Sequence, residues 1–202
     1  MPPTVSFFFS PGSRYSYLAA SQMENLTAET GCTVDWRPVD GTEIRRLRGR
    51  DPFSGEPISG QYDWAYRQRD AELWADYYGI AFREPPTHRF DFGLLVRAAT
   101  AAKRLGRVAE YSWQLCSTIY ASDTWPVDEP VCLRIAEQLG LERTDFTAML
   151  ADSDTERMMH ETADEACRRG AFGVPTFFLG DQMFWGNDRL VILRHVLKKQ
   201  RR

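Results

Sequence analysis

The spacing of hydrophobic and polar positions changes along the chain. Residues 4–10 form a short apolar and aromatic run that ends at a Pro-Gly pair, which predicts a buried strand followed by a turn. A loosely periodic segment predicts a helix over 13–29, and residues 33–38 alternate as a second strand does. The opening strand–helix–strand order predicts a parallel strand pair joined by a right-handed crossover.

The middle of the chain shows helical periodicity only. A Pro-, Gly- and Ser-rich loop at 51–60 precedes this block, and Pro and Gly residues separate its helices. The predicted helices cover residues 63–78, 91–105, 108–122, 129–139, 143–151 and 154–168. Strand character returns around a Gly-Asp turn as a hairpin over 176–185. A final helix is predicted to begin at Asn187 or Asp188, since either side chain is a competent N-cap.

This order of elements predicts an α/β fold in which the two ends of the chain share one four-stranded mixed sheet. The helical block is then an insertion, because long structureless connections are uncommon in compact domains. We therefore expect residues 1–40 and 153–202 to form the sheet domain and residues 41–152 to form an inserted helical domain.

Composition narrows the function classes. The 202 residues include 25 Lys plus Arg and 28 Asp plus Glu, a net charge of −3, which argues against a nucleic-acid binder that relies on bulk positive charge. No apolar run is long enough to predict a membrane span, and no secretory signal is recognisable at the start. The four cysteines are widely spaced and none forms C-x-x-C, so we expect free thiols in a reducing cytoplasm.

Candidate chemistry lies where the first strand ends. Ligands of open α/β sheets bind beyond the carboxyl ends of parallel strands, and Ser13 stands there at the start of a helix. Helix N-termini favour anions, including thiolates, and a hydroxyl can donate to such an anion. The simpler interpretation is that Ser13 only caps the helix.

Two further motifs are candidates for ligand binding. Pro175 stands just before a buried strand, and a cis Val174–Pro175 bond would leave the Val174 backbone available to an extended peptide ligand. An ordinary trans proline at a strand start is the alternative. Asn187 and Asp188 could together hold an α-amino acid, with Asp188 taking the ammonium group, or could act only as a cap.

These motifs together resemble a known family. Ser13 and Ser16 stand where DsbA-type thioredoxin-fold oxidoreductases carry Cys-x-x-Cys. Residues 9–19, 173–177 and 184–190 are similar to segments of 2-hydroxychromene-2-carboxylate isomerases and the related kappa-class glutathione transferases. The resemblance spans nearly the whole chain, and its ends are the specific part. It implies a thioredoxin-like, DsbA-like α/β fold with a large all-helical insertion.

The resemblance also implies a mechanism and a set of roles. Ser13 would hydrogen-bond the sulfur of glutathione, Val174 beside a cis Pro175 would pair with the cysteinyl backbone, and Asn187 with Asp188 would hold the γ-glutamyl end. The family isomerises conjugated aromatic carboxylates through a borrowed thiolate, which is covalent catalysis by a cofactor. The implied partners are a small aromatic or conjugated substrate and, by analogy, a second copy in a homodimer.

The chain departs from the family where the second substrate would bind. The Lys and Asn of the family have no counterpart, and Arg45, Arg46 and Asp51 are the nearest candidates. Arg14 replaces the family's Pro after Ser13, which either adds positive charge beside the thiolate or points outward. A kappa-type transferase and a non-catalytic DsbA-like binding protein therefore remain alternatives.

A metal site is not expected. His160, Asp164 and Cys167 share one helical face, but no fourth ligand lies close in sequence.

Overall fold

The fold was determined as a computed structural model that describes residues 2–49, 64–85, 91–122 and 124–200. Its elements follow the chain in this order: β1 (Thr4–Phe9), α1 (Arg14–Ala20), α2 (Met23–Thr30), β2 (Thr33–Pro38), α3 (Gly41–Leu47), α4 (Trp64–Tyr78), α5 (Phe92–Arg104), α6 (Val108–Ala121), α7 (Glu129–Gln138), α8 (Arg143–Ala151), α9 (Ser153–Arg168), β3 (Thr176–Leu179), β4 (Gln182–Trp185), a 3-10 helix (Asn187–Arg189) and α10 (Leu190–Gln200).

The two ends of the chain form the predicted mixed sheet. Its strand order is β2-β1-β3-β4, with β1 parallel to β2, antiparallel to β3, and β3 antiparallel to β4. Phe7 on the central strand β1 faces Trp36 on one side and Phe177 on the other. The mixed α/β sheet expected from the order of elements is therefore confirmed.

The aromatic run of β1 explains the layers around the sheet. Alternate side chains of a strand point to opposite faces. Phe7 and Phe9 pack in one cluster with residues of α1, α2 and α10, whereas Phe8 packs in another with residues of α3 and α9. Helices therefore cover both faces of β1, and burial of these rings is the main driving force for the layering.

The helical block has its own core. Buried residues of α4–α8 form the largest hydrophobic cluster, and Tyr17 and Leu18 of α1 belong to it. The Tyr17 hydroxyl donates to the Ala81 carbonyl at 2.5 Å. One side of α1 thus packs on the helical block while the other packs on the sheet. None of the helices in the described ranges is long and apolar enough to cross a membrane.

Three local predictions need correction. The single helix predicted over 13–29 is divided into α1 and α2, and the Ser21 hydroxyl at the break donates to the Leu18 carbonyl at 2.7 Å. Helix α3 was not predicted, although Asp40 caps it by accepting from the Thr42 N–H at 2.8 Å. Serine and aspartate side chains compete for backbone groups in this way, and so end and begin helices.

The third correction concerns the last helix. Asn187 and Asp188 lie in a 3-10 turn ahead of α10, and within the described ranges neither side chain accepts a hydrogen bond from a backbone N–H. They are therefore not N-caps. The Asp188 carboxylate lies 3.5 Å from the Arg189 Nε instead. Neither side chain is therefore used to cap a helix.

Candidate functional site

The sheet register brings two distant segments of the chain together. Phe8 of β1 lies opposite Thr176 of β3 in an antiparallel pair, so the chain leaving β1 passes the chain entering β3. The first segment carries Ser13 and the second carries the Val174–Pro175 bond, which is cis. A β-carbon placed on Gly41 would lie 3.4 Å from Val174 Cγ2, so the start of α3 also borders this region.

Ser13 is a genuine N-cap. Its backbone N–H donates to the Ser10 carbonyl at 3.0 Å, and its Oγ accepts from the Ser16 N–H at 3.3 Å. The side chain is half-buried. Among the described residues nothing accepts the proton of the Ser13 hydroxyl. Capping therefore uses the oxygen of Ser13 and leaves its O–H free to donate.

Side chains of α1 and α6 hold the loop that precedes Ser13. The buried Ser16 hydroxyl accepts from the Ser10 N–H at 3.3 Å, and the Tyr120 hydroxyl donates to the Gly12 carbonyl at 2.7 Å. The Cys116 thiol lies 3.7 Å from the Pro11 carbonyl. Ser16 thus has a structural role, and the loop reaches Ser13 as a preorganised turn.

The segment entering β3 presents unused backbone groups. Thr176 donates its hydroxyl to the Gly173 carbonyl at 2.7 Å, and the Gly186 N–H donates to the Pro175 carbonyl at 3.0 Å. Within the described part of the chain, neither the N–H nor the C=O of Val174 forms a hydrogen bond. An extended backbone beside Val174 would find one donor and one acceptor there.

Asn187 is buried with only 3 % of its surface exposed, and its Nδ2 has no hydrogen-bond partner in the part of the chain that the structure describes. Buried amides are normally satisfied, so an unpaired one calls for an explanation. The Tyr78 hydroxyl lies 3.4 Å from the Asn187 carbonyl, and α1 contacts the 3-10 helix that contains Asn187. Asp188, beside it, is exposed.

Gly186 allows the Asp188 carboxylate to lie close to the backbone of the turn. Its φ is +106°, a conformation that favours glycine, and a β-carbon there would lie 2.4 Å from Asp188 Oδ1. The Asp188 carboxylate therefore occupies space that only a glycine leaves open.

Arg14 does not point outward, so that alternative is wrong. Its side chain is only 6 % exposed, and its Nη2 lies 3.0 Å from Oε1 of Glu84, which is 10 % exposed. Its guanidinium carbon lies 3.9 Å from the centre of the Trp64 ring. Burial lowers the pKa of Arg14, and the negative charge of Glu84 opposes that shift. No sequence pattern indicated Glu84 as the partner of Arg14.

Arg45, Arg46 and Asp51 are the residues predicted to contact the substrate. Arg45 is exposed on α3, and within the described ranges it forms no ion pair or hydrogen bond. Arg46 donates Nε and Nη2 to the Glu43 carboxylate at 2.7 and 2.6 Å. Asp51 lies outside the described residues. A substrate role for Arg45, Arg46 or Asp51 stays a prediction.

The helical face with His160 packs against α3. The His160 Nδ1 is 3.8 Å from the Glu43 carboxylate, and the Cys167 thiol is 3.7 Å from the Ile44 carbonyl. Among residues 2–49, 64–85, 91–122 and 124–200, no three His, Cys, Asp or Glu side chains converge closely enough to hold a metal ion.

Comparison with known proteins identifies the scaffold. The model of the DSBA-like thioredoxin domain matches residues 4–198. The chain belongs to this family. A 2-hydroxychromene-2-carboxylate isomerase of Pseudomonas putida is 29% identical over 196 residues, covering 96% of this chain and 93% of the relative. Human glutathione S-transferase kappa 1 is 24% identical over 213 residues, covering 98% and 92%.

Comparison with solved structures gives the same family as comparison of sequences. A structure of a 2-hydroxychromene-2-carboxylate isomerase superposes with a TM-score of 0.82 at 26% identity, covering 98% of this chain and 95% of that one. The predicted DsbA-like thioredoxin fold is thus confirmed. Within this DSBA-like chain Ser13 and Ser16 carry hydroxyls, and a hydroxyl cannot form a mixed disulfide, so thiol–disulfide exchange at this position is excluded.

Proposed function

We propose that the protein is a glutathione-dependent cis/trans isomerase of a conjugated aromatic carboxylate, with Ser13 stabilising the glutathione thiolate. The observation that carries the proposal is the Ser13 hydroxyl, which is half-buried and keeps its proton free beside the Val174–Pro175 segment. A hydrogen-bond donor at that position lowers the pKa of a thiol bound against it.

The groups around Ser13 fit the remainder of glutathione. The unused N–H and C=O of Val174 suit the backbone of a cysteinyl residue, in the manner of strand addition. The unpaired Asn187 amide suits a carboxylate, and the exposed Asp188 suits an ammonium group. An α-amino acid end such as the γ-glutamyl group carries both charges.

The chain's own residues bind and orient in this mechanism. Bound glutathione would supply a sulfur nucleophile that adds to a conjugated double bond and leaves again after rotation about the resulting single bond. Ser13 donates its proton in a hydrogen bond to the sulfur, and Ser16 and Tyr120 keep the Ser13 loop in place. Holding both reactants in one orientation supplies much of the acceleration.

Two relatives of known name support this class of reaction. The Pseudomonas putida relative is named as the isomerase, and the human relative as a glutathione transferase. A kappa-type transferase is the alternative function on the same site. The two are distinguished by stoichiometry, because isomerisation consumes no glutathione whereas transfer consumes one molecule per turnover.

The test is the Ser13→Ala variant, compared with Ser13→Thr, which keeps a hydroxyl. We expect the ultraviolet absorbance of the bound thiolate at neutral pH to fall in Ser13→Ala and to persist in Ser13→Thr. The isomerisation rate of Ser13→Ala should fall roughly a hundredfold, as for loss of other donors to a developing anion. An unchanged thiolate spectrum and rate would reduce Ser13 to a cap. Absence of glutathione binding in calorimetry would favour a non-catalytic binding protein.

The proposal includes a homodimer in a reducing cytoplasm. Leu73 and Tyr77 of α4 are 70% and 72% exposed, and Val191 and Ile192 of α10 are also exposed. Large exposed apolar side chains are typical of interfaces. Light scattering should give twice the 23.2 kDa chain mass, and Leu73→Lys with Tyr77→Lys should give the monomer mass.

A further inference from the structure

Arg14 combines a buried, charged side chain with a position directly beside Ser13. It is the first residue of α1 and follows Ser13 directly. Its guanidinium is buried between the Glu84 carboxylate and the Trp64 ring. Charged side chains are rarely buried unless they are paired, and here Glu84 supplies the pairing.

The pairing leaves Arg14 incompletely satisfied. Nη2 contacts Glu84 at 3.0 Å, whereas Nη1 is buried and has no hydrogen-bond partner among residues 2–49, 64–85, 91–122 and 124–200. A guanidinium has five N–H donors in a rigid fork that matches a carboxylate. A buried and unpaired donor of this kind is costly in the unliganded protein, and an anionic oxygen would satisfy it.

The surroundings of Arg14 suit a ligand with a ring and a carboxylate. Trp64, 42 % exposed, is the aromatic group that covers the guanidinium. Tyr15 is the next residue on α1, and its hydroxyl donates to the Asp70 carboxylate at 2.8 Å. The negative charge of Asp70 is therefore engaged by Tyr15. The guanidinium of Arg67 lies 5.7 Å from the centre of the Tyr15 ring and adds a second positive charge to the region.

We propose that Arg14 is a binding residue that recognises a carboxylate of a ligand held at Ser13, through its unpaired Nη1. The inference rests on the proposed function to the extent that it places that ligand beside Ser13. The carboxylate has two possible sources, which share this chemistry: the glycine end of glutathione and the carboxylate of the conjugated substrate.

Glu84 sets the strength of this site. It neutralises Arg14 in the unliganded protein and competes with an incoming carboxylate for the same guanidinium. Removing the Glu84 charge should therefore strengthen carboxylate binding, and removing the Arg14 charge should weaken it. A purely structural ion pair would produce neither change, because each substitution would then alter stability alone.

The experiment compares matched carboxylate and amide probes by calorimetry on the full chain. One pair is glutathione and its glycinamide analogue. The other is trans-cinnamate and trans-cinnamamide, measured in the presence of S-methylglutathione. Arg14→Gln should weaken one carboxylate probe roughly tenfold, as expected for loss of a charge-assisted hydrogen bond, and leave its amide unchanged. Glu84→Gln should tighten the same carboxylate several-fold, and Arg14→Lys should retain part of the discrimination.

The probe pair that responds identifies the source of the carboxylate. A response in the glutathione pair assigns the glycine end, and a response in the cinnamate pair assigns the conjugated substrate. If both carboxylate-to-amide affinity ratios stay at the wild-type value in Arg14→Gln and Glu84→Gln, the proposal is overturned. Should Arg14→Gln fail to fold, as judged by circular dichroism, Glu84→Gln and Arg14→Lys still decide the question.

Failure of the proposed function would give a different result. In that case Ser13→Ala leaves the thiolate spectrum unchanged, while the cinnamate pair still reports on Arg14.

Discussion

Two charged regions of the molecule differ in how completely their groups are paired. On β2, Arg37 contacts both Asp35 and Glu165 at 2.5 Å, and Lys103 contacts Asp35 at 2.8 Å. Arg169 completes this β2 charge cluster with a contact of 3.4 Å to Glu165. Each charge in the cluster has at least one opposite partner.

The Ser13 region is the opposite case. Within the described ranges Ser13 keeps a free hydroxyl proton, Asn187 has an unpaired amide nitrogen, and Arg14 has an unpaired guanidinium nitrogen. The last two side chains are more than nine-tenths buried. Satisfied polar groups stabilise the fold, whereas unsatisfied buried donors lower stability unless a ligand accepts from them. The comparison therefore separates groups that stabilise this fold from groups that are available for binding.

The largest effect that would sharpen this comparison is expected from Gly186→Ala. The alanine would have to adopt a φ near +106°, which strains the turn that carries Asn187, and its β-carbon would meet Asp188 Oδ1 at 2.4 Å, so the exposed Asp188 carboxylate must move. We expect a loss of about 1–3 kcal/mol in the free energy of unfolding, typical of strained backbone, together with at least a tenfold loss of glutathione affinity. Chemical denaturation and calorimetry measure the two quantities.

The matched control is Gly180→Ala in the β3–β4 turn. Gly180 also has a positive φ, +57°, but nothing lies within 4 Å of its added β-carbon. It should lose stability without losing glutathione affinity. Equal affinity losses in both variants would show that the site responds to general destabilisation only.

Arg37→Ala should come next and should act on stability alone. Among the described residues, the substitution leaves Glu165 paired with Arg169 and Asp35 paired with Lys103, and the Arg37, Asp35 and Glu165 side chains are just under one third exposed. We expect a loss of about 1–2 kcal/mol in the free energy of unfolding and an unchanged affinity for glutathione. Arg157→Ala, whose ion pairs are more than half exposed, should cost less stability than Arg37→Ala, because solvent screens these pairs. A weaker glutathione affinity in Arg37→Ala would contradict the separation of the two regions.

Asn187→Ala should show the converse pattern. Its amide nitrogen has no partner to lose in the unliganded protein, so the free energy of unfolding should change by less than about 1 kcal/mol. Glutathione affinity should fall roughly tenfold because a donor to the ligand carboxylate is removed. Thr30→Val is the control, since the Thr30 hydroxyl is buried and paired with the Leu26 carbonyl at 2.7 Å. Thr30→Val should lower stability and leave affinity intact.

The smallest expected effect is the pH dependence of the β2 charge cluster. Burial alone would raise the pKa of Asp35, but hydrogen bonds from Lys103 and Arg37 outweigh it and hold the pKa below its usual value of 3.8. A carboxylate with a depressed pKa stabilises the fold fully above that usual value, and the contribution is lost as pH falls through the folded pKa.

The measurement is the unfolding free energy of wild type and Asp35→Asn between neutral pH and about pH 3. The difference between them should be largest at neutral pH and should shrink below about pH 4. A constant difference over the whole range would show that the Asp35 charge contributes nothing to stability.

Sequence periodicity predicted most of the fold. The aromatic run of β1, the hairpin of β3 and β4, and the helices of the middle block each have a local pattern that survives in the structure. The missed helix α3 and the break at Ser21 depend on single side chains that bond to backbone groups. Periodicity does not report such short-range competition.

The site was predicted less completely than the fold. Ser13, Val174 and Asn187 were candidates from the sequence because each stands beside a strand or helix end with recognisable motif residues, and their binding roles stay predictions. The burial of Arg14 was not predicted, since its partner Glu84 lies far along the chain and in no motif. The helical pattern of α4 also does not show that its aromatic residues Trp64, Tyr66 and Tyr77 are 42 %, 51 % and 72 % exposed.

The amino-acid sequence by itself determined the order of strands and helices and the presence of hydroxyls, not thiols, at positions 13 and 16. Those properties depend on residue type and near-neighbour spacing. Tertiary structure alone decided which donors remain unpaired: Asn187 and Arg14 are buried by residues far away in the chain, as the contact between Tyr78 and Asn187 illustrates. Whether a polar group is satisfied depends on every element packed around it, and no local pattern contains that information.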